Sequence, residues 1–465
     1  MGCRCLRVSV QSALERAQYQ KILFPARNST KKGVQPMQSI ISRRHLLKTT
    51  GAAAAAATAS SLFGRYAQAQ DAELSVFGPL PPDPAPPGAA KFAEAAFEAW
   101  KAANTTSVNY EMLAWPQLHD RMATAFASGS APWDIMYMCA WVPEFESFLY
   151  PFVDDLPAEL IADLPESSFK TVTWKGKRYG TVFTLSLLNL FYNKEHLEQA
   201  GIKEPPKNWD DFKRFTKELT RDGRFGYVSN YAEAAGIGGA ASYWMAFLQQ
   251  AGGTMYGEDG MPVFKSDAGV DALQMMVDLK AAGTEPGSIS YAGINDATNV
   301  FSSGRASMMM NWPFMWATAQ DPKQSNIVGK MGATILPAGP AGSASIDGTD
   351  AWTISNASQH PDKARKLVEF FMSKEIQKRQ ALDTGWLPSR LSVLGDPEVQ
   401  AALPIAKVVL EQAQHPYESF VTPDFTEVTQ AIGTEVQKAL QGQKTAAEAI
   451  AEAHDLVTAI VKRRG

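Results

Sequence analysis

The sequence predicts an α/β fold built on open, mostly parallel sheets covered by helices. Three observations carry this. Strand-like and helix-like stretches alternate, the alternation restarts once near residue 180, and 465 residues with 45% hydrophobic and 20% charged side chains can support two cores. Residues 73–77 read as a strand, and the proline-rich stretch 79–88 can only be a loop, because proline removes a donor and fixes φ. Phe92, Ala96 and Trp100 then form one helix stripe. Alternation over 107–113 is strand-like, Leu118, Met122 and Phe126 mark a second amphipathic helix, and 134–138 is another strand. A β-α-β-α-β order of this kind places ligands beyond the carboxyl ends of its strands.

The pattern begins again after Arg178-Tyr179-Gly180. Asn193 caps a short helix that stops at Gly201, and Asn208 with Asp211 opens another whose apolar face is Phe212, Phe215 and Leu219. Val270, Leu273 and Val277, then Leu367, Val368 and Phe371, mark later helices. Phe425, Val428, Ile432, Val436 and Leu440 share a face in a helical tail that breaks at Gly442 and continues through Ile450, Val457 and Ile460.

Residues 1–69 hold eleven Lys/Arg and a single acid, Glu15, leaving 33 basic against 47 acidic side chains beyond them. A body so acidic excludes nucleic acid and anionic membrane surfaces as partners. Arg43-Arg44, the uncharged run from Thr49 to Gly64 and Ala67-Gln68-Ala69 form the three parts of a signal peptide of the twin-arginine type. Residues 37–69 are read as that signal and 1–36 as a mis-assigned upstream extension, so that a free periplasmic protein begins near Gln70. Cys139 is then alone, which excludes a disulfide framework. The six histidines lack metal-site spacing, so no metal or other cofactor is expected.

Of eleven tryptophans, Trp100, Trp174 and Trp209 read as structural. Trp115, Trp141, Trp244, Trp312, Trp316, Trp352 and Trp386 fall at expected strand ends and loops, where cleft residues must lie. A pyranose has an apolar C–H face and a rim of hydroxyls, so its site needs flat aromatic platforms beside groups that donate and accept. Asn311-Trp312, Asp350 with Trp352, and Gly385-Trp386 offer that pairing. Met308-Met309-Met310 reads as one strand buried on both faces rather than a soft-metal site. Asp154-Asp155 and Asp210-Asp211 stand where turns and helix starts favour acids. No nucleophile elbow, phosphate loop or dinucleotide glycine pattern is present; Gly236, Gly238 and Gly239 form a loop cluster without a preceding strand.

Several stretches resemble the family 1 extracellular solute-binding proteins, the ABC sugar-binding group that contains maltose-binding protein. They are 115–119 with 129–135, where Trp133 is inserted between Pro132 and Asp134; Tyr192-Asn193-Lys194 through Ala200-Gly201 to Trp209-Asp210; 301–313; and Pro361-Asp362-Lys363-Ala364 with 367–371. The proline-rich loop departs from the family's polar first loop. The resemblance implies two α/β lobes joined by about three crossings, near 181–184, 346–350 and 385–388, with lobe 1 at 70–182 and 351–385 and lobe 2 at 186–346 and 390–465. It further implies a monomeric solute binder that captures a sugar by hinge closure and delivers it to a membrane ABC permease, without catalysis. An exported glycan-active enzyme is the alternative, as is the same fold carrying a polyamine, a phosphorylated polyol or chelated iron.

Overall fold

The computed structural model describes residues 73–79, 89–104, 106–113, 115–232, 239–291, 294–418 and 421–464. The upstream extension, the signal peptide, residues 80–88 of the proline-rich loop, and Gly236 and Gly238 lie outside the described residues. Among the described residues no helix is long and apolar enough to cross a membrane.

The first part of the chain runs β1 (Leu74–Pro79), α1 (Ala89–Ala103), β2 (Val108–Leu113), α2 (Trp115–Ala127), β3 (Ile135–Met138), α3 (Val142–Phe145), β4 (Leu149–Tyr150) and β5 (Gly180–Thr184). The second part continues with β6 (Asn189–Asn193), α4 (Lys194–Gln199), α5 (Trp209–Leu219), β7 (Phe225–Val228), α6 (Ala240–Gln250), α7 (Asp267–Gly283), α8 (Ile294–Ser302), β8 (Ala306–Asn311), α9 (Met315–Gln320) and β9 (Met331–Thr334). The chain then returns through β10 (Asp350–Ser355), α10 (Pro361–Phe371) and α11 (Lys374–Thr384), and ends on α12 (Phe425–Leu440) and α13 (Ala446–Arg463).

Two sheets result. The six-stranded sheet has the order β2-β1-β3-β10-β4, with β5 also paired to β10, and the four-stranded sheet has the order β9-β6-β8-β7. β1 is parallel to β2 and β3, as the alternation of strand and helix demands. β10 is antiparallel to β3, β4 and β5, and β6 is antiparallel to β8 and β9. The expectation of mostly parallel sheets is thus corrected to mixed ones. β6 and β10 each enter a sheet directly from a crossing, without a helix to carry the chain back to the starting edge, so they run opposite to their neighbours.

Local chemistry fixes the elements. The Asn193 side chain accepts the backbone N–H groups of Glu195 and His196 at the start of α4, and Asn208 accepts that of Asp211 in α5. Thr445 and Glu448 close a capping box on α13. In β8, Met308 and Met310 join the larger apolar cluster while Met309 joins the smaller one, all with no exposed surface, so both faces of the strand are covered.

Three stretches of chain run side by side between the sheets. The Leu185 N–H donates to Leu387 O at 3.3 Å, the Gly348 N–H to Ser186 O at 2.9 Å, and the Thr184 hydroxyl to Leu387 O at 2.7 Å. Gly348 admits the Trp312 ring, since a Cβ there would stand 2.6 Å from it. Gly385 ends α11 with φ +74, a conformation costly for any residue with a Cβ, and lies against Ala317.

Candidate functional site

The carboxyl ends of β1, β2 and β3 lie together, and the residues just beyond them form one cluster. Trp115 opens α2, and its indole N–H donates to the Tyr137 hydroxyl at 2.7 Å. Tyr137 in turn donates to Oδ1 of Asp350, the first residue of β10, in a short bond. Trp141 follows β3, with its ring 5.7 Å from that of Trp115 and 6.1 Å from that of Tyr137. Register explains the grouping: Trp352 faces Tyr137 across the β3–β10 pair, and Gly78 of β1 leaves the space that the Trp352 and Tyr110 rings occupy.

Trp352 stacks on Phe183 of β5, with centroids 4.8 Å apart and planes at 21°, and Trp386 lies 6.2 Å from the same ring. These three, with Pro79, Phe92 and Tyr110, help to wall a small cavity of about 60 Å³. The aromatic surface meets acid at its edge. Burial pushes the Asp350 carboxyl up to about 7, and the nearby Asp347 carboxylate adds to this against the opposing Tyr137 bond. Burial likewise raises Asp347, whose oxygens accept from the Thr171 hydroxyl and the Thr349 N–H.

On the second-half side, Asn311 ends β8 fully buried. Its Nδ2 donates to Thr298 Oγ1 at 3.2 Å and its Oδ1 accepts the Trp312 N–H at 2.8 Å, so its amide is committed to internal bonds. Trp312 sits at the crossings, 7% exposed, against Gly348. Trp316 is half-buried on α9, packed against the second-half apolar cluster. Trp244 is a correction to the sequence-based set: it is 0% exposed inside α6, its N–H donates to Gly269 O, and its ring packs on Phe264. The structure therefore gathers Trp115, Trp141, Asp350, Trp352 and Trp386, though Trp141 is only 2% exposed and packs as core, places Trp312 at the crossings, and turns Trp244 into the core.

Sequence reasoning missed Tyr137 and Phe183. Tyr137 was legible only as one of five strand residues, although a hydroxyl near the carboxyl end of a central strand is the available signal. A further group joins the two parts of the chain. His119 Nε2 lies 3.0 Å from both Glu144 oxygens and 3.1 Å from Thr426 Oγ1 of α12. Burial works against charge on His119, but Glu144 and then Asp120 outweigh it and hold the imidazole above its ordinary value. Among the described residues no group of three or more His, Cys, Asp and Glu side chains is placed to hold a metal.

The sequence model of the bacterial extracellular solute-binding proteins matches residues 85–378, more than half of the chain. The chain belongs to that family. This solute-binding protein is 28% identical over 393 residues to a probable amino-acid ABC transporter periplasmic-binding protein of Sinorhizobium fredii, across 80% of this chain and 88% of the other. Its fold is that of the maltose-bound MalE3 of T. maritima, with TM-score 0.76 and 26% identity over 84% of this chain and all of that one. A solute-binding protein of Thermotoga lettingae bound with α-D-tagatose matches with TM-score 0.74 and 25% identity, over 84% and 100%.

Proposed function

We propose that this protein is the solute-capturing component of an ABC importer, and that it takes a carbohydrate or polyol in the cleft between its lobes. The observation that carries this reading is the convergence of Trp115, Trp141, Trp352, Trp386 and Asp350 at the carboxyl ends of the first sheet, beside the crossings that hold Trp312. Flat aromatic faces next to a carboxylate match the C–H face and hydroxyl rim of a sugar. The maltose and α-D-tagatose of the structural relatives support that solute class. Lobe 1 comprises residues 70–182 and 351–385, and lobe 2 residues 186–346 and 390–465. The solute draws them together by rotation about the three crossings, through contacts it makes better in the closed state.

The protein acts as an exported, periplasmic monomer, after a twin-arginine signal at 37–69. It binds without turnover. A thermal-shift screen against sugars, polyols, polyamines and amino acids tests the solute class, because a ligand of the native state raises apparent stability by mass action. Oligosaccharides recovered intact after incubation support binding alone; hydrolysed products overturn it. Recovery of secreted protein that still carries Met37 overturns the export reading.

A further inference from the structure

We infer that the cleft selects a solute that carries a protonated amine on its hydroxylated skeleton, with Asp350 as the counter-charge. This rests on the carbohydrate reading of the cleft and narrows it. Asp350 stands at the start of β10, part of it accessible, and its described hydrogen-bond partner is the neutral hydroxyl of Tyr137. That hydroxyl accepts the Trp115 indole N–H, which turns its own proton toward the carboxylate. A second acid, Asp347, lies three residues earlier and is satisfied by neutral groups as well, the Thr171 hydroxyl and the Thr349 N–H. Among the described residues neither acid forms an ion pair with Lys, Arg or His.

Two acids in an aromatic surround, each with neutral donors alone, leave negative charge without a partner. A neutral sugar would add one more neutral donor and leave that charge standing. An ammonium supplies the missing counter-charge, in a site of lowered dielectric where the pairing is strong, and the neighbouring half-buried Trp115 ring attracts a cation.

Titration agrees with the geometry. The groups that face Asp350 are Tyr137 and Cys139 from β3 and the turn after it, and Asp347 from the turn before β10; Lys170 acts on Asp347 from further off. Burial and Asp347 push Asp350 up to about 7. An ammonium binds the ionised form and pulls that value down. For an amine that stays protonated throughout, such as 1-amino-1-deoxysorbitol, affinity therefore rises as pH passes from about 6 to about 8, and binding at neutral pH releases a proton.

The test uses matched probes on the purified exported protein: D-glucosamine against D-glucose and N-acetyl-D-glucosamine, the β-1,4 disaccharide of glucosamine against cellobiose, and 1-amino-1-deoxysorbitol against sorbitol. Calorimetry at pH 7, where the amines are mostly protonated and Asp350 is partly ionised, is expected to show the amines bound about ten-fold more tightly than their neutral partners. Asp350→Asn should remove that advantage, and Asp350→Glu, which keeps a carboxylate, should restore part of it. Wild-type titrations in two buffers of different ionisation enthalpy read the proton release without any variant. Neutral probes bound as tightly as the amines, a preference that survives in Asp350→Asn, or amine binding without proton release overturns the inference and leaves the carbohydrate reading standing. Failure of every probe, amine and neutral, overturns the carbohydrate reading and the inference with it.

Discussion

Replacing Trp352 with alanine should destabilise the protein as well as weaken the solute site, because this ring is both wall and pillar. It is 9% exposed, stacks on Phe183 at 4.8 Å and packs 5.7 Å from the Phe371 ring. Burying an indole removes about 200 Å² from water, worth about 5 kcal/mol at about 25 cal/mol per Å². Alanine keeps a little of that area and the neighbours relax partly into the space, so the expected loss is about 3–5 kcal/mol. Urea unfolding followed by far-UV circular dichroism reads it as a fall in midpoint at constant slope. Trp386→Ala, at a half-buried ring on the same cavity, should cost less than half as much while weakening the solute comparably. Trp244→Ala should cost as much stability as Trp352→Ala with solute affinity unchanged, since that ring packs away from the cluster. A Trp352→Ala protein that unfolds at the wild-type midpoint would refute the packing argument.

Gly348→Ala should lower the unfolding free energy read from urea curves by about 1–3 kcal/mol and increase acrylamide quenching of tryptophan fluorescence, because the added Cβ would lie 2.6 Å from the Trp312 ring. Glu435 is buried, which opposes its charge, yet Lys438 and Lys444, each 2.5 Å away, hold its carboxyl below the ordinary value. Its contribution is present above the unfolded value of about 4.3 and is lost as pH falls through the folded one, so Glu435→Gln should flatten the acid limb of a stability–pH curve. His119 is held above its ordinary value, so its contribution is full below about 6.5 and declines as pH rises through the folded value. Midpoints measured from pH 6 to pH 9 should lose that slope in His119→Ala, while the raised Asp350 accounts for a separate decline between about 4 and 7.

What was legible in the sequence was what is encoded within a few residues. The caps at Asn193 and Asn208 bond to N–H groups two or three positions on, so the residue types alone announce them. The stripe in α5 was equally plain, because Phe212, Phe215 and Leu219 are buried while Lys213, Arg214, Lys217 and Glu218 between them carry charge. Trp244 was misplaced because α6 is buried from Ala240 through Leu248, and a helix covered on every side shows no stripe from which to tell core from cleft. The acid–hydroxyl link at the candidate site joins Tyr137 to Asp350 across 213 positions, and His119 meets Thr426 across 307. Contacts of that span are set by strand order and leave no local trace. Trp312 and Trp352 could be placed at the crossings from the sequence, but their near-complete burial depends on Gly348 and Gly78, whose missing side chains make room from elsewhere in the chain.

The position of β10 has a consequence for how the protein is made. This strand lies inside the first sheet, between β3 and β4, yet it leaves the ribosome after nearly the whole of the second sheet. Until then β3 is an open edge of Ile135, Met136, Tyr137 and Met138, all of which the finished fold buries, and β5 lacks the strand on which it pairs. An open apolar edge is a template for pairing with another chain, so nascent or truncated forms that stop short of residue 350 are the species most exposed to aggregation. Closing the sheet requires a loop of more than two hundred residues, a search whose entropy grows slowly with length but must be met before any β10 contact rewards it. The first sheet cannot close before all four strands of the second have been made. Completion of the one is thereby a report on the synthesis of the other, and a cell that holds the chain back until it is folded is in effect checking that translation has passed Ser355.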